Sequence, residues 1–183
     1  AYASGWSTVH NMGFCNNKTA KYAMYAWYYY YNIIGQANTI LAKIDASSAT
    51  DEEKSFIKGA ALTFRAYGYQ KLLQYYAKRW VDSGNGTADG VPVRLDESTG
   101  DLPVSTQAEV YSQIYADCEE AIAEFGKTSV TREEGDVWIP NVNVAHAVYA
   151  RAALTRQDYS KALATPTPQV GLRSTIWASA TTR

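Results

Sequence analysis

Apolar residues recur every three to four positions from Thr19 to about Asp45: Ala23, Ala26 with Trp27, Tyr30, Ile33 with Ile34, Ala37, Ile40 with Leu41, and Ile44. This spacing predicts one long helix, and no proline interrupts it. "ASSAT" (46–50) breaks the pattern. Thr50 then opens T-D-E-E, a capping box in which Glu53 reaches back to the cap. Behind it Ile57, Ala60, Ala61, Phe64, Tyr67, Leu72 and Tyr75 predict a second long helix, to about Lys78. The short connection makes these two helices antiparallel neighbours.

Residues 82–105, "DSGNGTADGVPVRLDESTGDLPVS", carry no apolar period and read as a long polar loop. Thr106 opens a second capping box, T-Q-A-E, closed by Glu109. Tyr111, Ile114, Cys118, Ala121, Ile122 and Phe125 continue it as a third helix. After the loop "GKTSVTREEGD", Asn143 is the expected N-cap of a fourth helix, Val144 to about Leu154. "TRQD" turns into a short fifth helix near Tyr159–Leu163. The expected fold is all-α, built from antiparallel helical hairpins in the manner of a TPR-like α-α superhelix. Small residues such as Gly35, Ala37, Ala61, Gly68 and Ala153 punctuate the helix faces where crossings are expected. Residues 1–164 are expected to form one helical domain. The stretch 165–183, with its prolines and no period, is expected to be an irregular tail from a later, discontinuous part of a full protein.

Composition narrows the function. The chain has 183 residues, 46 % of them apolar and 19 % charged, which fits a globular domain rather than a disordered one. The net charge of −1 leaves no basic excess for a phosphate backbone, so nucleic acid is not an expected partner. No stretch approaches the roughly 20 apolar residues of a membrane span. The first residue is not Met and no signal-type apolar run follows it, so a processed or trimmed product is expected. Cys118 falls within a helical apolar pattern and reads as a buried free thiol. Cys15 lies in a polar stretch and reads as potentially exposed.

The 15 tyrosines and 5 tryptophans are the outlier. Their densest run is "AWYYYYN" (26–32). Successive helix residues turn by about 100°, so four tyrosines in a row cannot form one flat surface. Only Trp27 with Tyr30 and Tyr31, or Tyr28 with Tyr31, share a side. A helix aromatic all round is expected to be an inner helix, packed on several sides, with its hydroxyls partnered at the margins.

Chemistry is scarce. The only histidines are His10 and His146, and His146 sits among Val144, Ala147 and Val148 as a structural helix residue. "DSGNGTADG" has neither phosphate-loop spacing nor the ligands of a calcium loop. Asp117, Glu119 and Glu120 cluster, but a glycosidase needs two carboxylates facing each other across a substrate, and adjacent helix residues diverge. A solvated face is expected there. No catalytic residue, metal site or cofactor is expected.

The helices carry a known pattern. "WYYYYNIIGQANTIL" (27–41) resembles the W-x-x-x-Y-x-x-I-x-x-A-N helix of the SusD/RagB-like family, with Trp27, Ile34, Ala37 and Asn38 in register. "KGAALTFRAYGYQKLLQYYAKRW" (58–80) resembles the helix that follows, through Phe64, Arg65, Ala66, Tyr67, Tyr69, Leu72 and Tyr76. "DGVPV" (89–93) is similar to its G-x-V-P-L. Residues 105–122 are similar to a third helix, through Glu109, Val110, Tyr111, Ile114, Asp117 and Ala121, and 143–163 to a fourth and fifth. The likeness covers about residues 20–163.

The resemblance implies a non-catalytic component of an outer-membrane nutrient uptake system. Such a protein is lipid-anchored and surface-exposed, binds an oligosaccharide or polysaccharide, and caps a TonB-dependent (SusC-like) transporter. Membrane contact would come only through a lipid anchor absent from this chain. Ligand contacts in that family come from aromatic residues on loops, including the loop before the first long helix. Here that loop is "AYASGWSTVHNMGFCNN", and the ligand-binding residues expected in it are Trp6, Tyr2, His10 and Asn11. An indole stacks on the C–H face of a sugar while polar neighbours bond its hydroxyls. The alternative is a TPR-like scaffold that binds a protein or peptide and has no glycan role. A groove lined by Asn and Lys without exposed aromatics would mark it.

Overall fold

A computed structural model describes residue 17 and residues 20–165. Trp6, Tyr2, His10, Asn11 and Cys15 lie outside the described residues, as does the tail beyond Thr165. The described residues form five α-helices, in order: α1 Lys21–Lys43, α2 Asp51–Tyr76, α3 Gln107–Phe125, α4 Val142–Thr155 and α5 Tyr159–Ala164. Single 3₁₀ turns lie at Ile44–Ala46 and Trp80–Asp82. Among the described residues there is no strand, and one isolated bridge pairs Asp89 with Thr106. The fold is the expected all-α, TPR-like arrangement of helical hairpins. Each helix packs on the next, and α2 also reaches α4. α1 therefore has one helical neighbour among the described elements, whereas α2 has three.

Both predicted capping boxes form. The Thr50 hydroxyl accepts from the Glu53 N–H at 3.3 Å, and the Glu53 carboxylate accepts from the Thr50 N–H at 2.8 Å. Thr106 and Glu109 repeat the arrangement at 3.3 and 2.7 Å. α4 starts earlier than expected. Its cap is Asn141, whose side chain accepts from the Val144 N–H at 3.2 Å, so Asn143 lies inside the first turn. The extended backbone of Asn141, which follows Pro140, is what a cap requires.

The core gathers on both faces of α2. Ile34, Ala66, Tyr69, Leu72, Val91, Val110, Ile114, Cys118 and Ala152 are fully buried in one cluster. Each large apolar side chain there contributes about 1.5–3 kcal/mol. Cys118 is a buried free thiol, as its apolar surroundings predict. His146 is a partly buried helix residue whose Nδ1 finds no partner, and burial lowers its pKa. Glycines mark two crossings. A Cβ on Gly68 would lie 2.9 Å from the Ile34 Cγ1 of α1, and one on Gly59 would lie 3.0 Å from the Phe125 ring of α3. Gly35 does not mark a crossing, because nothing stands within 4 Å of its Cβ position.

The tyrosine run is not an inner helix among the described residues. Tyr30 and Tyr31 turn inward with Trp27 against the core, while Tyr28 and Tyr29 are 63 % and 51 % exposed. With α2 as its single helical neighbour, α1 buries one side of the run and leaves the other open. The polar loop 82–105 is more ordered than its composition suggests. Gly84, Asn85 and Gly86 adopt left-handed conformations, and a Cβ on Gly86 would meet the Trp80 ring at 2.4 Å. The loop is tied to the start of α3 by Gly90 N–H to Ser105 O at 2.8 Å and Gln107 N–H to Ala88 O at 2.9 Å.

Candidate ligand-binding groove

Asp117 corrects the expectation of a solvated carboxylate face. It is 1 % exposed, whereas Glu119 and Glu120 are exposed. Its two oxygens accept from Arg65 Nε at 2.9 Å and Nη2 at 2.7 Å, and from Gln113 Nε2 at 2.7 Å. Burial pushes the Asp117 carboxyl up, and the Arg65 guanidinium pulls against it. Burial likewise works against the charge on Arg65, and the Asp117 hydrogen bonds together with the negative charge of Asp117 and its neighbours more than offset it, so its pKa ends above the ordinary value. Two parallel N–H···O bonds make this the strong, orientation-fixing kind of ion pair.

The pair also sets the orientation of Asn38 on α1. Arg65 Nη1 donates to the Asn38 Oδ1 at 3.0 Å, which leaves the amide NH₂ pointing away. That NH₂ donates to the carbonyls of Arg94 and Asp96 at 3.1 and 3.0 Å. Two tyrosines complete the attachment. The Tyr31 hydroxyl donates to Pro92 O at 2.7 Å, and the Tyr69 hydroxyl donates to Arg94 O at 2.6 Å while accepting from Arg94 N–H at 2.7 Å. Burial pushes the Tyr31 hydroxyl up and takes Tyr69 to about 12, so both keep the proton they donate. The extended stretch 92–96 is thereby fixed along α1 by side chains from two helices.

A groove of about 780 Å³ opens between that stretch and α1. One wall carries Trp27, Tyr28 and Tyr31, with Gln36 and Thr39 further along the helix. The other runs from Pro92 through Arg94, Asp96 and Glu97 to Leu102. The Trp27 and Tyr31 rings are 4.8 Å apart, and Tyr28 stands exposed beside them. Aromatic faces beside hydroxyl, amide and carboxylate groups can stack on an apolar face and bond its polar rim. No group of three or more metal-ligating side chains occurs among the described residues.

The aromatic character extends to the start of α1. Tyr25 and Tyr29 stack at 6.1 Å with their planes 12° apart. Apolar hollows of about 580 and 490 Å³ flank them, lined by Tyr22, Trp27, Tyr75 and Tyr76 and by Met24, Tyr25, Tyr28 and Tyr29. The Tyr76 hydroxyl, on α2, donates to Ala23 O and accepts from Trp27 N–H, both at 2.7 Å. It bridges the two ends of one rung of α1 and fixes this part of the helix to α2. The segment with Tyr2, Trp6, His10 and Asn11 joins the chain at this end of α1, through Asn17 and Ala20. The groove residues Trp27, Tyr28 and Tyr31 were assigned to packing from sequence. The signal was that Tyr31 shares a side of the helix with Trp27 and with Tyr28, and the partner wall, 61 residues on from Tyr31, was not visible in it.

These features define a helical scaffold with an aromatic and polar groove along its first hairpin; no described helix is long and apolar enough to cross a membrane. A SusD-like family described as starch-binding and associating with the outer membrane matches residues 2–154, and the chain belongs to it. Comparison with solved structures agrees. A SusD-like carbohydrate-binding protein from Bacteroides vulgatus is 25 % identical and superposes with a TM-score of 0.70, over 90 % of this chain and 34 % of that one. A SusD superfamily protein from Bacteroides thetaiotaomicron is also 25 % identical, with a TM-score of 0.68 over 81 % of this chain and 32 % of that one. Surface glycan-binding protein A from Bacteroides uniformis, at 23 % identity, shares the fold, with a TM-score of 0.62 over 76 % of this chain and 30 % of that one. The chain spans about a third of the length of these structures. No curated protein matches it.

Proposed function

We propose that this chain is part of a non-catalytic glycan-binding component of an outer-membrane nutrient uptake system, one that caps a TonB-dependent, SusC-like transporter. The observation that carries the reading is the groove beside α1, where exposed aromatic faces stand next to fixed polar groups. Family membership supports the same reading. Trp6, Tyr2, His10 and Asn11 are proposed as further ligand contacts, because their segment enters α1 at its aromatic end. The protein would act on the cell surface, held by a lipid anchor, and would release its glycan uncleaved to the transporter.

The test is native affinity electrophoresis of the protein and of Trp6→Ala against a panel of polysaccharides. Retardation by at least one glycan, weakened in the variant, supports glycan binding and a site that includes the N-terminal segment. Retardation unchanged in the variant removes Trp6 from the site. Absence of retardation by any glycan favours the alternative, a TPR-like scaffold for a protein or peptide. The exposed aromatics of the groove speak against that alternative, for which an Asn- and Lys-lined groove was the expected mark.

A further inference from the structure

We infer that the groove between α1 and the 92–102 stretch selects uncharged glycans and excludes uronate- or sulfate-bearing ones. This rests on the glycan-binding reading and adds the substrate class. The basis is the state of the charged groups that line it. Four of the described lining residues carry a charge at neutral pH: Arg94, Asp96, Glu97 and Asp101. Three of them are acidic. The one cation among the described lining residues is already committed, because the Arg94 guanidinium donates to the Ser98 carbonyl and hydroxyl, to the Gly100 carbonyl and to Asp96. Its side chain is only 18 % exposed. Freeing it for an anionic sugar would open the 96–100 turn that it closes.

Two of these carboxylates are held in their charged form by hydrogen-bond and ion-pair partners. Asp96 accepts from the Ser98 hydroxyl at 2.7 Å and from its N–H at 3.0 Å, and these bonds hold its pKa below the usual carboxylate value. Glu97 is held down by Lys43, 3.0 Å away. Lys43, which stands outside the lining, is engaged in that pair. Among the described residues the lining carries three carboxylates against one engaged cation, so an anionic sugar would meet net negative charge and no unengaged lining cation. A neutral sugar has the opposite fit. Its hydroxyls donate to carboxylate oxygens, a charge-assisted and strong form of hydrogen bond, while its C–H face stacks on Tyr28 and Trp27. Discrimination thus comes from repulsion of the wrong ligand as well as attraction of the right one.

The experiment compares chemically matched pairs on the intact protein. Starch, laminarin and β-galactan are run in affinity gels beside their carboxymethylated or sulfated derivatives, and fully methyl-esterified homogalacturonan beside its saponified form. The expected result is retardation by one or more uncharged members, weakened at least about tenfold in the charged partner at low salt. Asp101→Asn, at an exposed loop position, should narrow that gap, and Tyr28→Ala should abolish retardation by the neutral member. Equal or stronger retardation by a charged member overturns the selectivity while leaving glycan binding intact. Neutral binding that survives Tyr28→Ala overturns the placement in this groove. Retardation by no member overturns the glycan reading itself, and this inference with it.

Discussion

Where the first hairpin packs on α3, Arg65 and Asp117 are 7 % and 1 % exposed, while at the open end of that hairpin Tyr25 and Tyr28 are 65 % and 63 % exposed. The usual sorting of charged and apolar side chains is reversed in both places, for different reasons. The buried ions are fully partnered, by each other, by Gln113 and by Asn38. Such a pair adds little net stability over a well-packed apolar replacement, because desolvation offsets most of the attraction. What it does supply is direction: it orients Asn38, which holds the 94–96 backbone against α1. The exposed tyrosines make few contacts that the fold needs. The contrast separates residues that build the groove wall from residues that face whatever enters the groove.

The sharpest way to break this contrast is to unpair the buried ions. Asp117→Ala should cost about 3–5 kcal/mol, because it strands a buried guanidinium. Denaturant unfolding measures it. The double replacement Arg65→Met with Asp117→Leu should cost clearly less than Asp117→Ala alone. A double variant as unstable as the single one would mean the network stabilises the fold directly rather than directing it. The next effect separates two glycines on facing helices. Gly68→Ala drives a methyl into Ile34 at 2.9 Å and should cost about 1–3 kcal/mol. Gly35→Ala has open space and should stabilise α1 by about 0.5–1 kcal/mol.

The smallest effect is pH-dependent. Glu53 and Glu109 have pKa values lowered by hydrogen bonds from the backbone N–H groups of Thr50 and Thr106, then from their hydroxyls. A carboxyl lowered in the folded state stabilises above its ordinary pKa of 4.5, and that contribution is lost as pH falls through the folded value. Glu53→Gln should therefore lower the melting temperature slightly at pH 7, and the difference from the unaltered protein should shrink below about pH 4. Melting curves across pH check both parts.

The helices were legible because their cues are local. Both capping boxes lie within four residues, and the apolar period of α1 to α3 needs no knowledge of distant chain. The cap of α4 was placed two residues late, since Asn141 and Asn143 look alike and only the extended backbone at Asn141 decides between them. Asp117 was misread because its partner is 52 residues away. Judged by its helix neighbours, it resembled Glu120. The tyrosine run was read as inner because periodicity reports which faces a helix could bury, whereas the number of neighbouring helices decides how many it does bury. Asn38, Arg65, Tyr69 and Asp117, matched as motif letters in sequence, are the residues that join the three helices to the groove wall.

The central claim is that the wall is structural and the exposed aromatic face is functional, and Tyr28→Ala tests it with two readings on one sample. Unfolding free energy should stay within about 0.5 kcal/mol of the unaltered protein, as for a surface change that removes no needed contact. Retardation by the glycan that slows the unaltered protein should be lost. Glycan binding that persists undiminished in this variant would contradict the account.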